Sequence, residues 1–431
     1  MTKSDDEPQG LGQDLVLIDS DYASPPVRQM AEAMKARVIG QDHAIDFLAQ
    51  GLEIDESGLY LPSAGGKKLS VRDPMSTLAQ VALFTGPPGN GKSETGYVFG
   101  KVWIGDIAED VFGKRLMPLT LIDCTKFHDY HTIGNLIGAT KSYVGYDEPT
   151  PLSQESLDHY AEQVLMGHEI AQFEQALMER KRNGKALGRA TRSEVIAAAT
   201  RLIKCRPHKK VLMFDEVGRA HPIVWNLLIT ILNGELFEFP NGSVTDFQRT
   251  ALFMNMNLDE QGIRQAAGAG MGFKHDWREA DAEKLNDWFR KRVETEIKKI
   301  FPPALVSRLL GNVVVFRVLD DQDRKKLLDL RLSEVSARFE SHYGKTYPDT
   351  KLVFTDACRD VLLKRGFDPV MGARPLQGLI RSEIIARLTR VMNWQKTVPG
   401  FTKVEPGCTV VLDRASGLGV TDERIELYVQ R

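Results

Sequence analysis

The chain has 431 residues, 42% of them hydrophobic and 26% charged, with a formal net charge of −2. Such a length accommodates two or three domains with well-filled cores, and the near-neutral balance offers no footprint for nucleic acid or an anionic membrane. Four widely separated cysteines with no C-x-x-C pair argue against a disulfide framework and against structural zinc. No apolar run approaches the ~20 residues of a membrane span, and the opening MTKSDDEPQG lacks the basic-then-apolar order of a secretory leader. A cytoplasmic protein is the expectation.

In chain order, residues 1–25 read as a flexible tail ending at SPP. From Val81 onward short apolar runs alternate with helical stretches: 81–85, 117–122, 210–214, 250–254 and 312–316. Near-continuous β-prone runs of this kind are expected of strands buried on both faces of a parallel sheet. The spacing therefore predicts an α/β fold over 26–318, a parallel five-stranded sheet with helices on both faces. Beyond residue 318 amphipathic helices dominate (323–342, 355–365, 373–393), with strand-like runs at 408–413 and 425–430. This predicts a smaller, mainly helical C-terminal domain over 319–431.

The first apolar run leads directly into GPPGNGKS, residues 86–93, which satisfies G-x-x-x-x-G-K-[ST] between a strand and a helix. In such a loop Gly86, Gly89 and Gly91 leave backbone N–H groups free to surround phosphate oxygens, Pro87, Pro88 and Asn90 complete the nucleotide-binding turn, and the helix that follows adds its positive dipole end. Lys92 is placed to reach the terminal phosphates of ATP, Ser93 to ligate Mg²⁺, and Glu94 to line the nucleotide site. The third run, KVLMFDE, ends in Asp215 and Glu216. Two carboxylates at the C-terminal edge of a parallel strand lie where open α/β sheets bind ligands. Asp215 is expected to hold the metal, and Glu216 to orient or deprotonate the attacking water.

Seven segments in order resemble the AAA+ ATPases, and within them the second ATPase module of the Clp unfoldases ClpA and ClpB. They are VIGQDHAI (38–45), GPPGNGKS, DCTKFHDYHTIGNLIGATKSYVGY (123–146), FDEVGRAHPIVWNLLITILNGEL (214–236), MNLDEQG (256–262), IKKIFPPALVSRL (297–309) and GFDPVMGARPL (366–376). The resemblance implies that Val38 and Ile39 pack on adenine and that Asn257 helps place the attacking water. Arg308 would be a finger pointing into a neighbouring subunit's site, and Arg374 would reach the nucleotide from the C-terminal domain. A finger acting in trans implies a closed ring, by resemblance a hexamer.

The same resemblance gives Tyr143, Val144 and Gly145 a place in a pore loop that grips a polypeptide, so that the expected function is ATP-driven unfolding or dismantling of a protein substrate. A nucleic-acid remodeller, or a dedicated scaffold without threading, is the alternative, although the pore segment largely lacks the Lys and Arg such a channel needs.

Two stretches depart from the family's pattern. Residues 152–195 form an additional segment between the pore loop and the Asp-Glu strand; its spacing predicts a long helix, a break at KRNGKALGR, and a second helix. It is either a helical hairpin packed on its own core or a partner-selecting appendage. Met271, Gly272 and Phe273 stand where ClpA-type unfoldases carry a tripeptide that docks on the protease ClpP, so a ClpP-like partner is a further expectation.

Overall fold

A computed structural model describes residues 23–57, 78–109, 114–127, 129, 132–138, 148–182, 200, 203, 208–234, 236–257, 282–368, 371–394, 404–414 and 424–430. The elements in chain order are α1 (Pro25–Lys35), α2 (Asp42–Ser57), β1 (Gln80–Gly86), α3 (Lys92–Ile104), β2 (Thr120–Asp123), α4 (Gly134–Ile137), α5 (Gln154–Arg182), β3 (Lys210–Asp215) and α6 (Pro222–Leu232). There follow β4 (Phe237–Glu238), β5 (Val244–Thr245), β6 (Thr250–Asn257), α7 (Ala282–Ile300), α8 (Pro303–Leu309) and β7 (Val313–Val315). The C-terminal part holds α9 (Asp321–Tyr343), β8 (Lys351–Phe354), α10 (Asp356–Gly366), α11 (Arg374–Leu379), α12 (Ala386–Trp394), β9 (Thr409–Arg414) and β10 (Ile425–Gln430).

All five expected apolar runs are strands of one parallel sheet, in the order β2-β3-β6-β1-β7. Side-chain alternation divides them between two cores. Ala82, Phe84, Met213 and Phe253 pack with α1, α2 and α3 on one face, while Leu83, Leu212, Phe214, Leu252 and Met254 pack with α6, α7 and α8 on the other. Helices cover both faces, and this is why the strands carry no polar alternation.

On the first face Phe84 lies 5.1 Å from Phe253 and 5.2 Å from Phe316, and Phe99 of α3 meets Phe253 edge-on at 5.0 Å. Each of these fully buried rings contributes on the order of 1.5–3 kcal/mol. Together they fix where α3 begins relative to the ends of β1, β3 and β6.

The expected long helix of the additional segment is α5, and among its described residues the docked side chains lie in the N-terminal half. Leu157, Tyr160, Val164, Met166 and Ile170 are buried. The Tyr160 hydroxyl donates to the Gly105 carbonyl (2.7 Å) and accepts from the Ile107 N–H (3.3 Å). Asp158 pairs with Lys210 at the start of β3, at 3.6 Å. Past Ile170 the described side chains are mostly exposed, and Met178 is 70% exposed. The break at KRNGKALGR and nearly all of the second expected helix lie outside the described residues.

The C-terminal part buries Leu328, Leu332, Val361, Leu362, Leu376, Ile384 and Leu412 against a three-stranded sheet, β10-β9-β8. Its helices were expected; strand β8 was not. KLVF is only four residues long and half exposed, so it carries neither a clear alternation nor a continuous apolar run. Helix α9 starts in a capping box in which Asp320 and Asp323 satisfy each other's backbone N–H groups.

Candidate functional site

Strand order reverses around β1, which lies between β6 and β7, and the segments leaving β1, β3 and β6 meet in one cleft. The site therefore lies beyond the C-terminal strand ends, where a parallel sheet leaves room for ligands. Pro88 to Glu94, Asp215, Glu216 and Asn257 line it from the sheet side. Val38 and Ile39 close one end, and Arg374 enters from the start of α11. A roomier hollow of about 860 Å³ on the C-terminal part, against 220 Å³ for the cleft, contains none of the expected site residues.

Lys92 is buried at the first turn of α3, its Nζ donating to the carbonyls of Gly86 (2.9 Å) and Pro87 (2.7 Å). Burial pushes its ammonium down to about 7; Glu216 and Asp215 oppose the shift, and Arg374 adds to it. The loop's own carbonyls thus hold the lysine where phosphate oxygens would compete for it.

Glu216 follows β3 in a left-handed conformation, φ 56°. Burial raises its carboxyl above the usual range, Arg219 at 3.8 Å and Lys92 counteract this, and Asp215 reinforces it. Its Oε1 accepts from the Asn257 amide. Glu216 and Asn257, expected on separate grounds to handle the attacking water, are therefore direct partners.

Ser93 and Asp215 are joined by a residue that sequence reasoning missed. Asn255 Nδ2 donates to Ser93 Oγ (3.0 Å) and to Asp215 Oδ1 (2.9 Å). A hydroxyl and a carboxylate oxygen converging on one point form an oxygen donor pair of the kind magnesium accepts, with phosphate and water completing its shell. Among the described residues no group of three or more His, Cys, Asp or Glu could hold a metal. Two oxygens alone leave the rest of a cation's shell to a bound group and water. The signal for Asn255 was the strand end MNMN, whose two asparagines share one face.

Other unassigned residues complete the cleft. Gln41, fully buried, donates to the Arg317 carbonyl (2.9 Å) and the Asn90 carbonyl (3.3 Å) and accepts from the Arg317 N–H (3.0 Å). It ties the VIGQ turn to the phosphate loop and to the segment after β7. Leu319, Leu327 and Leu376 add apolar wall near Val38 and Ile39. Glu94 faces Arg331 of α9 across the cleft at 3.8 Å.

Arg308 does not line this cleft. It lies on α8, with Nε donating to Asn233 Oδ1 (2.9 Å) and Nη1 to the Ala304 carbonyl (2.6 Å). Tyr143, Val144 and Gly145, like Met271, Gly272 and Phe273, lie outside the described residues.

With this geometry in view, two family models match the chain: the AAA domain (Cdc48 subfamily) over residues 189–311, and the C-terminal, D2-small domain of ClpB protein over 319–404. The chain is similar to the Clp-family AAA+ ATPases, and within them to the D2 module. Among curated Clp proteins it is 28% identical to chaperone protein ClpC2, chloroplastic, of Arabidopsis thaliana, covering 84% of this chain and 30% of that protein. It is 25% identical to chaperone protein ClpB of Aquifex aeolicus, covering 94% and 32%. A ClpA homolog of Porphyra purpurea, an ATP-dependent Clp protease ATP-binding subunit, is 26% identical over 82% and 33%.

The chain thus spans about a third of the length of the curated Clp relatives it matches. A solved structure of Hsp104 with ATPγS and FITC casein, in a closed state, shares the fold with a TM-score of 0.58 at 21% identity, covering 94% of this chain and 51% of that one. The AAA match begins beyond α5, so the 86–93 loop lies upstream of it. No helix among the described residues is long and apolar enough to cross a membrane.

Proposed function

We propose that the chain binds ATP with Mg²⁺ in the cleft, hydrolyses it, and uses the cycle as one subunit of a closed ring, a hexamer, to unfold or dismantle a protein substrate. The observation that carries this reading is the convergence of Lys92, Ser93, Asp215, Glu216, Asn257 and Arg374 on one cleft, from segments far apart in sequence. Bound magnesium would supply charge neutralisation at the phosphates, held by Ser93 and Asp215.

The chain's own residues do the rest. Backbone N–H groups of residues 89–92 and the α3 N-terminus receive the phosphates, and Val38, Leu319 and Leu376 receive the base. Lys92 leaves its carbonyl partners for the terminal phosphates. Glu216 takes a proton from the attacking water while Asn257 holds its carboxylate in place. Arg308, outside the cleft of its own chain, completes a neighbour's site.

Action on protein is supported by the chaperone relatives and by Tyr143 in SYVGY. Burying one tyrosine removes ~150–250 Å², about 4–6 kcal/mol at ~25 cal/mol/Å², and a substrate domain is stable by ~5–15 kcal/mol. One partly buried ring is insufficient, and several loops acting in turn are not.

The deciding experiment uses Glu216→Gln: ATP is retained while turnover falls by ~10²–10⁴. Turnover at the wild-type rate would sink the assignment of the base. Stimulation of wild-type turnover by unfolded protein but not by DNA supports the substrate class, and the reverse overturns it. A ClpP-like partner is supported by binding that Phe273→Ala removes, and no binding of the wild type to such a barrel ends that part of the reading.

A further inference from the structure

Strand β6 ends in a polar pair embedded in an apolar core. Leu252, Met254 and Met256 face the α6 side, and Phe253 faces α3. The period of two puts Asn255 on the Phe253 side, directly above the aromatic cluster and in register with Phe84 of β1. Asn255 is 2% exposed.

Its amide is oriented by chemistry: a carboxylate oxygen only accepts, so the nitrogen must face Asp215. That nitrogen spends both hydrogens, one on Ser93 Oγ at 3.0 Å and one on Asp215 Oδ1 at 2.9 Å. The amide oxygen is buried and has no partner among the described residues. A leucine or methionine here would continue the core without that desolvation cost. The packing of β6 therefore does not account for an asparagine, and the two contacts do.

We propose that Asn255 is a positioning residue that holds the Ser93 hydroxyl and the Asp215 carboxylate at the span from which they receive a magnesium–nucleotide complex. The inference rests on the reading of the cleft as an ATP site. Ser93 belongs to a helix and Asp215 to a strand end, two elements that could otherwise shift independently. Without the amide only the freely rotating Ser93 hydroxyl hydrogen could link them, whereas the amide nitrogen holds both oxygens from one fixed point. The amide places partial positive charge between them, so the donor pair keeps its geometry when no cation organises it. Ligand-orienting partners of this kind typically change metal affinity by ~10–100-fold when removed.

The test is binding of a fluorescent ATP analogue to the full chain, in EDTA and across a Mg²⁺ titration, for wild type, Asn255→Ala, Asn255→Leu and Asn255→Thr. In Ala and Leu the Mg²⁺ midpoint rises by ~10–100-fold, while affinity in EDTA is unchanged because Lys92 and the phosphate loop are intact. Thr has one hydroxyl hydrogen and cannot span both oxygens, so its midpoint falls between those of wild type and Ala.

Unshifted midpoints in Ala and Leu overturn the inference, as does an equal loss in EDTA and in Mg²⁺, which would mark a packing role alone. Should Ala and Leu fail to fold, Thr decides, and a wild-type midpoint there overturns the inference. A wild-type chain that binds no nucleotide in either condition overturns the cleft reading itself, and this inference with it.

Discussion

The Asn257 side-chain amide donates to the Glu216 carboxylate, joining the end of β6 to the residue just past β3. Asn257 is paired in the sheet with Gly86 of β1, and Glu216 is the first residue past β3, so the bond ties the carboxylate to a strand end. Its protonation is set differently. Burial raises the carboxyl, and Arg219 is the largest opposing influence.

A pH dependence follows. A base must be ionised, so turnover is lost as pH falls through the raised value of Glu216. Removing the arginine leaves burial less opposed. In Arg219→Ala the acid limb of kcat/KM moves to higher pH, and the displacement shrinks in high salt because Arg219 is exposed. A limb that stays in place would detach Arg219 from the base.

Lys92 supplies a second titration. Its ammonium is pushed down to about 7 in the nucleotide-free cleft, and phosphate favours the charged form. Above pH 7, ATP binding therefore takes up a proton. Calorimetry at pH 8 in buffers of differing ionisation enthalpy should count close to one proton bound, and none in Lys92→Met. The same shift gives stability a slope. Between about pH 7 and the unfolded value near ~10.4 the unfolded chain holds more protons, so the nucleotide-free fold gains stability with rising pH relative to Lys92→Met.

Arg308 is tested by mixing. Arg308→Ala is expected to bind ATP normally and to lose ~10³-fold or more in turnover. Combined with inactive Glu216→Gln subunits it should regain activity, because an intact Glu216 then meets an intact Arg308 from next door. No recovery on mixing would return the arginine to its own chain.

The additional helix makes a stability prediction. Lys210 is 2% exposed and its ammonium is lowered by burial, with Asp158 the main opposing charge. Asp158→Ala leaves a buried charge unpaired and should cost ~3–5 kcal/mol in thermal or denaturant unfolding. The double change Asp158→Leu with Lys210→Met should recover most of it. Replacing residues 171–199 by a short flexible linker spares the contacts of Leu157, Asp158, Tyr160, Val164 and Met166, so basal ATP turnover should persist. Loss of action on the native substrate alone would then mark that stretch as a selector.

The sheet was legible because strands buried on both faces read as unbroken apolar runs, and the loop before α3 because glycine, lysine and serine at fixed offsets have few other uses. Asp215 and Glu216 were legible from their place at a strand end. Asn255 was not. Within MNMN it resembles an interruption, and its meaning depends on β6 lying between β1 and β3, a fact of topology rather than of local pattern. The wall opposite is hidden for a related reason: Leu319, Leu327 and Arg331 reach the cleft from more than two hundred residues beyond the phosphate loop. The docking of α5 was illegible because its anchors, Gly105, Ile107 and Lys210, belong to other elements.

One contact has mechanical weight. Ala373 N–H donates to the Gly89 carbonyl at 3.2 Å, and the facing backbones are so close that a Cβ on Gly89 would come within 2.1 Å of the Met371 carbonyl, and one on Gly372 within 2.5 Å of the Pro88 carbonyl. The meeting is mainly backbone on backbone, with the Asn90 Oδ1 beside it, and main chain yields far less than a rotamer does. The loop proposed to receive the phosphates and the turn that carries Arg374 meet like gear teeth. A phosphate that displaced residues 86–91 would therefore press on the backbone of the turn that carries Arg374, and not on a side chain able to swing aside.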